Sequence, residues 1–266
     1  MLSNAALQAR MGVAITAARA GGRLLMEHYA RRDMLVIDQK GRNDFVSQAD
    51  RESEVAIFDM LTAAFPADGL LGEEQGRAGP EGAATVWCID PLDGTSNFLH
   101  GAHNWCVSIG LLHDGKPVLG VIYDPLRDEM FAGGQGLGMT LNGVPVQVST
   151  VDALDRAVMS LGHNARVPLE VFGAETLRIL ATGAAFRQLG AGALMLAYVA
   201  AGRFEGYYEW HMWPWDAVAG LAMIDAAGGQ FEPYLTGMIE AGGRVLATNT
   251  VLHASMVATI QPGGWA

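Results

Sequence analysis

Two acidic residues three positions apart, Asp90 and Asp93, end the apolar run Trp87-Cys88-Ile89 and open onto Gly94-Thr95-Ser96-Asn97-Phe98. The run reads as a buried strand over 85–89 that delivers Asp90, and Pro91, which lacks an amide N–H, is expected to stop sheet pairing there. Gly94 and the polar residues after it suit a tight turn and a helix start. The amides of Gly94 and Thr95 at such a helix N-terminus make an anion cradle. Two carboxylates at the end of a buried strand repel each other and lose hydration, so they need a counter-charge. No Lys or Arg lies between Trp87 and His100. A hard divalent cation, held by carboxylate and backbone oxygen, answers that need. An isolated Asp-x-x-Asp-Gly is more often a plain turn with a cap, so the reading depends on further acids.

Two further acidic elements are present. Glu73 and Glu74 follow Leu70-Leu71-Gly72, which places a Glu pair at a strand end. Asp216, after Trp215, opens a helix rich in small residues (Ala217, Ala219, Gly220, Ala222). Taken alone it is an N-cap; taken with the others it is a metal carboxylate arriving from the second half of the chain. Phosphate-ester cleavage suits such a set, because charge spreads over the non-bridging oxygens while attacking and leaving oxygens lie in line. Two metals about 3.5–4 Å apart polarise the phosphoryl group and lower the pKa of a bound water. Carboxylates suit Mg²⁺, which keeps several waters and few protein ligands. No Ser, Cys or His nucleophile is required, so direct attack by water without a phospho-enzyme is the expected mechanism. His100, His103, His163 and His211 show no His-x₃-His spacing and no Cys partner, which argues against zinc. His211 lies in the aromatic loop Trp210-His211-Met212-Trp213-Pro214-Trp215 and is expected to pack under the pocket wall.

Several broad classes are excluded by composition. Of 266 residues half are apolar and 17% are charged, which supports a sizeable core and rules out a disordered linker. A net charge of −11 argues against a general nucleic-acid binder. It also repels an anionic substrate, unless bound metal reverses the local sign. The two cysteines, Cys88 and Cys106, sit in apolar strand-like runs and read as reduced core thiols. Residues 1–10 lack a signal-peptide pattern, and the longest core-like uncharged run, 188–202, is too short and too rich in Gly and Ala to span a bilayer. A soluble cytoplasmic protein is expected.

The positioning elements follow from periodicity and turn chemistry. Helices are predicted over 4–29 and over 50–65, the latter ended by Pro66, with a short strand at 35–38. An antiparallel meander follows: 104–113 and 116–123 flank Asp114-Gly115, Asp124-Pro125 turns into a strand near Met130, and Asn142-Gly143 marks another hairpin. Gly133-Gly134-Gln135-Gly136-Leu137-Gly138 is read as a β-turn, since strand and turn follow it where a dinucleotide loop requires a helix. Beyond Val151 the rhythm changes. Strands are predicted at 157–160, 185–188 and 206–209, and helices at 168–180, 191–201 and 216–227, with Gly228-Gly229 closing the last of these; the segments 245–248 and 252–260 complete the chain. The class is α+β, with an N-terminal half over 1–151 holding the antiparallel sheet and most metal ligands. The C-terminal half, 152–266, supplies Asp216 and pocket residues.

Gly72-Glu73-Glu74, the segment Asp90 to Phe98, and Trp215-Asp216-Ala217-Val218-Ala219-Gly220 together resemble the three signature segments of the inositol monophosphatase family, in order and in spacing. The similarity runs from about residue 10 to residue 260. It implies a layered αβαβα sandwich of the inositol monophosphatase and fructose-1,6-bisphosphatase type, assembled as a homodimer, with lithium-sensitive, Mg²⁺-dependent activity and two or three ions per site. By position, Glu73, Asp90 and the carbonyl of Leu92 resemble the ligands of the first magnesium. Asp90, Asp93 and Asp216 resemble those of the second, with Glu73 also near a weaker third. Asp50, in the family-like segment 44–50, matches the residue that pairs with Thr95 to orient and deprotonate the attacking water, and Glu74 matches a carboxylate that helps hold it. On the substrate side, Glu209 matches the residue for substrate hydroxyls, and Gly94, Thr95, Ala191 and Gly192 line the same pocket. Lys40 aligns with a flexible-loop lysine. The expected reaction is hydrolysis of a small, inositol-1-phosphate-like monoester. A histidinol-phosphate phosphatase on the same scaffold is the alternative, and a catalytically idle regulatory or binding protein the alternative outside the class. The aromatic stretch before Asp216 departs from family members and leaves the substrate open.

Overall fold

The structure is a computed structural model that describes residues 2–32, 37–41, 44–163, 166–235 and 237–260, with only the backbone course given for 37–41 and 44–47. Expectations for Leu35, Val36, Arg42 and Asn43, and for the Lys40 side chain, lie outside the described residues.

The chain opens with α1 (Asn4–Tyr29), whose N-cap Ser3 accepts the Ala6 amide, and a short antiparallel pair, β1 (Ile37–Gly41) and β2 (Asp44–Ser47), leads into α2 (Gln48–Ala64). Next come β3 (Gly69–Gly72), β4 (Gly76–Ala78), β5 (Thr85–Asp93) and the short α3 (Thr95–Leu99). The expected meander follows as β6 (Cys106–His113), β7 (Lys116–Asp124), β8 (Glu129–Gly134), β9 (Gly138–Leu141) and β10 (Val144–Val146). Asp114 and Gly115 both have positive φ, 50° and 72°, as a two-residue hairpin turn requires. The glycine-rich segment is a hairpin in which Gly134 pairs with Gly138. These strands form one sheet in the order β10-β9-β8-β7-β6-β5-β3-β4, antiparallel except between β3 and β5.

Alternation of strand and helix then builds β11 (Val158–Leu161), α4 (Leu169–Ala181), β12 (Ala185–Arg187), α5 (Gly192–Ala200), β13 (Gly206–Met212), α6 (Pro214–Ala226), β14 (Gln230–Phe231), β15 (Gly243–Thr248) and α7 (His253–Ile260). Five of these pair as a second sheet, β12-β11-β13-β15-β14. The strand predicted to end at Glu209 continues to Met212 through a register shift, so Trp210, His211 and Met212 are sheet residues where a loop was expected. Helix α6 begins two residues before Asp216, with Pro214 in its first turn, so Asp216 is a first-turn residue where the sequence suggested an N-cap.

Three apolar clusters separate five layers. One joins α1 and α2 to the outer face of the large sheet, and a second lies between the two sheets and encloses α5 and α6. The third seals the far face of the small sheet beneath α4 and α7. The result is the αβαβα sandwich expected from the resemblance. Helices α5 and α6 are apolar on nearly every side because sheets cover both their faces. The central helix α6 approaches the large sheet where Gly110 of β6 pairs with Gly120 of β7. A Cβ on Gly120 would lie 2.0 Å from the Ala219 carbonyl oxygen. That approach fixes the depth at which the α6 N-terminus, and Asp216 with it, meets the end of β5. Cys88 and Cys106 are buried free thiols.

Candidate active site

Successive strand residues face opposite ways, so Asp90 and Asp93 on a regular strand would point to opposite faces of the sheet. The structure resolves this with a bulge. Asp90 pairs with Ser108 and Asp93 with Cys106, so three steps on β5 oppose two on β6. One extra residue returns Asp93 to the face of Asp90. Pro91 therefore does not end the strand; it occupies the bulge, and pairing resumes at Asp93. The Leu92 amide donates to Asp90 Oδ1 at 2.8 Å, bracing the turn.

Strand β3 runs parallel beside β5, with Gly72 opposite Ile89, and the Glu73 amide donates to the Ile89 carbonyl at 3.1 Å. This brings Glu73 alongside Asp90. The following turn is held by Glu54 of α2, fully buried, which accepts the amides of Glu74 (3.0 Å) and Gln75 (2.8 Å). A Cβ on Gly72 would fall 2.1 Å from Glu54 Oε1, so glycine is what admits the carboxylate. Sequence reasoning missed Glu54. Its signal was an acid four residues after Asp50 on a helix face otherwise made of Ala49, Ser53, Ile57, Phe58 and Leu61. Asp50 itself is buried, and its Oδ1 lies 3.3 Å from the Thr95 hydroxyl, which is also 3.1 Å from the Leu92 carbonyl.

Asp93 accepts amides from the first turn of α5: Gly192 at 3.2 Å, Ala193 at 2.8 Å and Leu194 at 3.4 Å. Burial nevertheless outweighs these amides and, with the Glu209 charge, pushes the Asp93 carboxyl up to about 6. Burial, then the charges of Glu73, Asp216 and Asp93, drive Asp90 well above the ordinary range. Asp216 is raised by burial and by Asp93, Glu73 and Glu209, and lies within hydrogen-bonding reach of Asp90. None of these influences is a cation. Two carboxyls so close share a proton unless a positive ion replaces it. The donor set is acidic and all oxygen, with Asp90 and Asp93 buried and Glu73 and Asp216 half-buried, which fits a hard divalent cation. Among the described residues no three His, Cys, Asp or Glu side chains already stand as a ligand-spaced group.

Beside these acids opens a cavity of about 200 Å³. Of the residues expected at the site, Asp93, Asp216, Ala191, Gly192 and Glu209 line it. Asp50, Glu73, Glu74, Asp90, Leu92, Gly94 and Thr95 are not part of its wall. Ser160, His163, Arg166 and Tyr207, which sequence reasoning did not single out as pocket residues, are. His211 packs against Trp213, ring centroids 4.7 Å apart, its Nε2 lies 2.9 Å from the Ala241 carbonyl, and it does not line the cavity.

A five-layer sandwich with acids gathered where β5 and β3 end and α6 begins is the scaffold of a phosphomonoester hydrolase. Comparison with known proteins identifies which. A profile of the inositol monophosphatase family matches residues 6–263. Inositol-1-monophosphatase of Mesorhizobium japonicum is 38% identical over 260 residues, covering 96% of this chain and 97% of that one. The Nus factor SuhB of Pseudomonas aeruginosa is 35% identical over 264 residues, covering 96% and 97%. Among solved structures, the extragenic suppressor protein suhB from Bartonella henselae superposes with a TM-score of 0.89 at 36% identity, covering 96% of this chain and 99% of that one. An inositol monophosphatase from Anabaena gives 0.84 at 36%, covering 96% of each. The chain belongs to the inositol monophosphatase family, and it is a phosphomonoester hydrolase. Among the described residues no helix is long and apolar enough to cross a membrane.

Proposed function

We propose that this protein hydrolyses a small polyol phosphate of the inositol-1-phosphate type in a Mg²⁺-dependent reaction, with water as the direct nucleophile. The observation that carries the proposal is the gathering of Asp90, Asp93 and Asp216 with Glu73 and Glu209 nearby: all three Asp carboxyls are raised by burial, Asp90 further by Glu73, Asp216 and Asp93, Asp216 by Asp93, Glu73 and Glu209, and Asp93 by Glu209. In this reading Glu73, Asp90, the Leu92 carbonyl, Asp93 and Asp216 hold two or three Mg²⁺ ions. Bound there, Mg²⁺ neutralises phosphate charge and makes a bound water more acidic. The Thr95 hydroxyl and Asp50 then form a relay: Thr95 accepts a proton from the attacking water while its own moves to Asp50 Oδ1, 3.3 Å away. Glu74 orients the same water. The amides of Gly94 and Thr95 receive phosphate oxygens, and Glu209, beside Ala191 and Gly192, accepts a hydroxyl of the leaving alcohol. A homodimer is part of the proposal, with exposed Leu169, Leu177 and Leu180 of α4 as apolar surface a partner would cover.

The test is phosphate release across inositol phosphates, histidinol phosphate, fructose bisphosphate and nucleotide 3′-phosphates, with Mg²⁺ and with chelator. Release from inositol phosphates that stops on chelation is expected. Full turnover in chelator overturns the metal assignment, and a dominant rate on histidinol phosphate overturns the substrate.

A further inference from the structure

Strands β11 and β13 run parallel, with Ser160 opposite Tyr207. Residues two apart share a face, so Ser160 and Gly162 stand on the side of the sheet that carries Tyr207 and Glu209. All four line the cavity. The Tyr207 hydroxyl donates to Glu209 Oε2 at 2.5 Å, and a Cβ on Gly162 would fall 2.0 Å from that oxygen and 2.3 Å from the Tyr207 hydroxyl. Glycine there leaves the room in which the carboxylate lies. Ser160 is fully buried, yet its Oγ has no hydrogen-bond partner among the described residues, and neither has the buried Nε2 of His163 in the same wall. A buried hydroxyl left unpaired is costly, and natural interiors seldom keep one without water or a ligand to pair it.

We infer that Ser160, with His163 beside it, determines specificity for the alcohol half of the substrate by binding a second hydroxyl while Glu209 accepts the first. The inference rests on the hydrolase reading above and deepens it by naming the side chains of this chain that would recognise a second hydroxyl of the alcohol. Ser160 both donates and accepts, Glu209 accepts, and His163 Nε2 offers one more polar contact. An alcohol with one oxygen leaves the Ser160 hydroxyl and His163 Nε2 unpaired in the cavity wall, which is a penalty against it.

The test uses the intact protein with Mg²⁺ and two esters, inositol 1-phosphate and 4-nitrophenyl phosphate, the second having no further hydroxyl. Wild-type protein is expected to favour the polyol ester. Ser160→Ala should raise KM for it about tenfold, the scale of one buried hydrogen bond, with kcat nearly unchanged. The same variant should keep kcat/KM for the aryl ester within about twofold, and the substrate-free protein should melt at the same temperature or higher, because an unpaired group has been removed. His163→Ala should separate the two esters in the same direction. Equal losses on both esters in both variants, a lower melting temperature for Ser160→Ala without a selective rise in KM, or a wild-type preference for the aryl ester would overturn the inference while leaving the hydrolase reading intact. No release from either ester by wild-type protein would overturn the hydrolase reading, and this one with it.

Discussion

At the scale of single residues, the site depends on one extra amino acid in β5. Without the bulge between Asp90 and Asp93, strand alternation would send the two carboxylates to opposite faces. The residue types were readable from the sequence, since two acids, a proline and a glycine after an apolar run announce a break in regular structure. The bulge itself was not, because register belongs to the partner strand: only the pairing with Ser108 and Cys106 reveals it. Asp93 ties the amides of α5 to the acidic cluster, so Asp93→Asn keeps the shape and most of those hydrogen bonds while removing charge. Turnover should fall at least about a hundredfold, the scale of losing one group that acts on transition-state charge. Circular dichroism should show the fold retained. A variant with near-normal kcat would remove Asp93 from the proposed ligands.

At the scale of elements, two helices set the geometry by packing closely. Helix α2 carries Asp50 toward Thr95 and Glu54 under the Glu73–Glu74 turn on a single buried face. Glu54→Ala should leave the amides of Glu74 and Gln75 without their acceptor and cost about 1–3 kcal/mol of stability. Measured by denaturant unfolding, that loss should come with a fall in kcat, as the turn bearing Glu73 loosens; full activity would show that the turn holds itself. Helix α6 sits on Gly110 and Gly120, with the Ala219 carbonyl where a side chain on Gly120 would go. Gly120→Ala should cost about 1–3 kcal/mol through overpacking and lower activity by displacing Asp216. A melting temperature equal to wild type would mean that α6 does not depend on this approach. The sequence revealed α6 as a helix of small residues, but not what made small residues necessary, because the two glycines lie about 100 positions earlier.

At the scale of the whole molecule, a chain of net charge −11 gathers acids beside one cavity, so its stability is expected to answer to pH and, under the proposed function, to divalent cations. Asp93, whose ordinary value is 3.8, is raised to about 6, and Asp90 and Asp216 are raised well above theirs by burial and by the neighbouring carboxylates, Glu73 and Asp93 among them. Folded values above unfolded ones mean that these groups stabilise the fold when protonated. Their contribution is full below the unfolded values and is lost as pH rises through the folded ones. Metal-free protein should therefore melt at lower temperature as pH rises from about 5 to about 8, and Mg²⁺ should remove that slope. A melting temperature that rises over this interval without metal would contradict the assignment. Most of the layered order was legible in advance: the meander from its Asp114-Gly115 and Asn142-Gly143 turns, the second half from its alternation of strands and helices. The donor wall of Ser160, His163 and Tyr207 was not, since nothing local distinguishes a pocket serine from a core one until β11 and β13 are paired.

The central claim is that Glu73, Asp90, Asp93 and Asp216, brought from three separate parts of the chain, bind one set of divalent ions. An anomalous difference map from crystals soaked in Mn²⁺ as a stand-in for Mg²⁺ tests it directly. The account predicts peaks bonded to Asp90 and shared with Glu73 on one side and Asp93 and Asp216 on the other. Density for the ion elsewhere, or none at these carboxylates under saturating Mn²⁺, would contradict it.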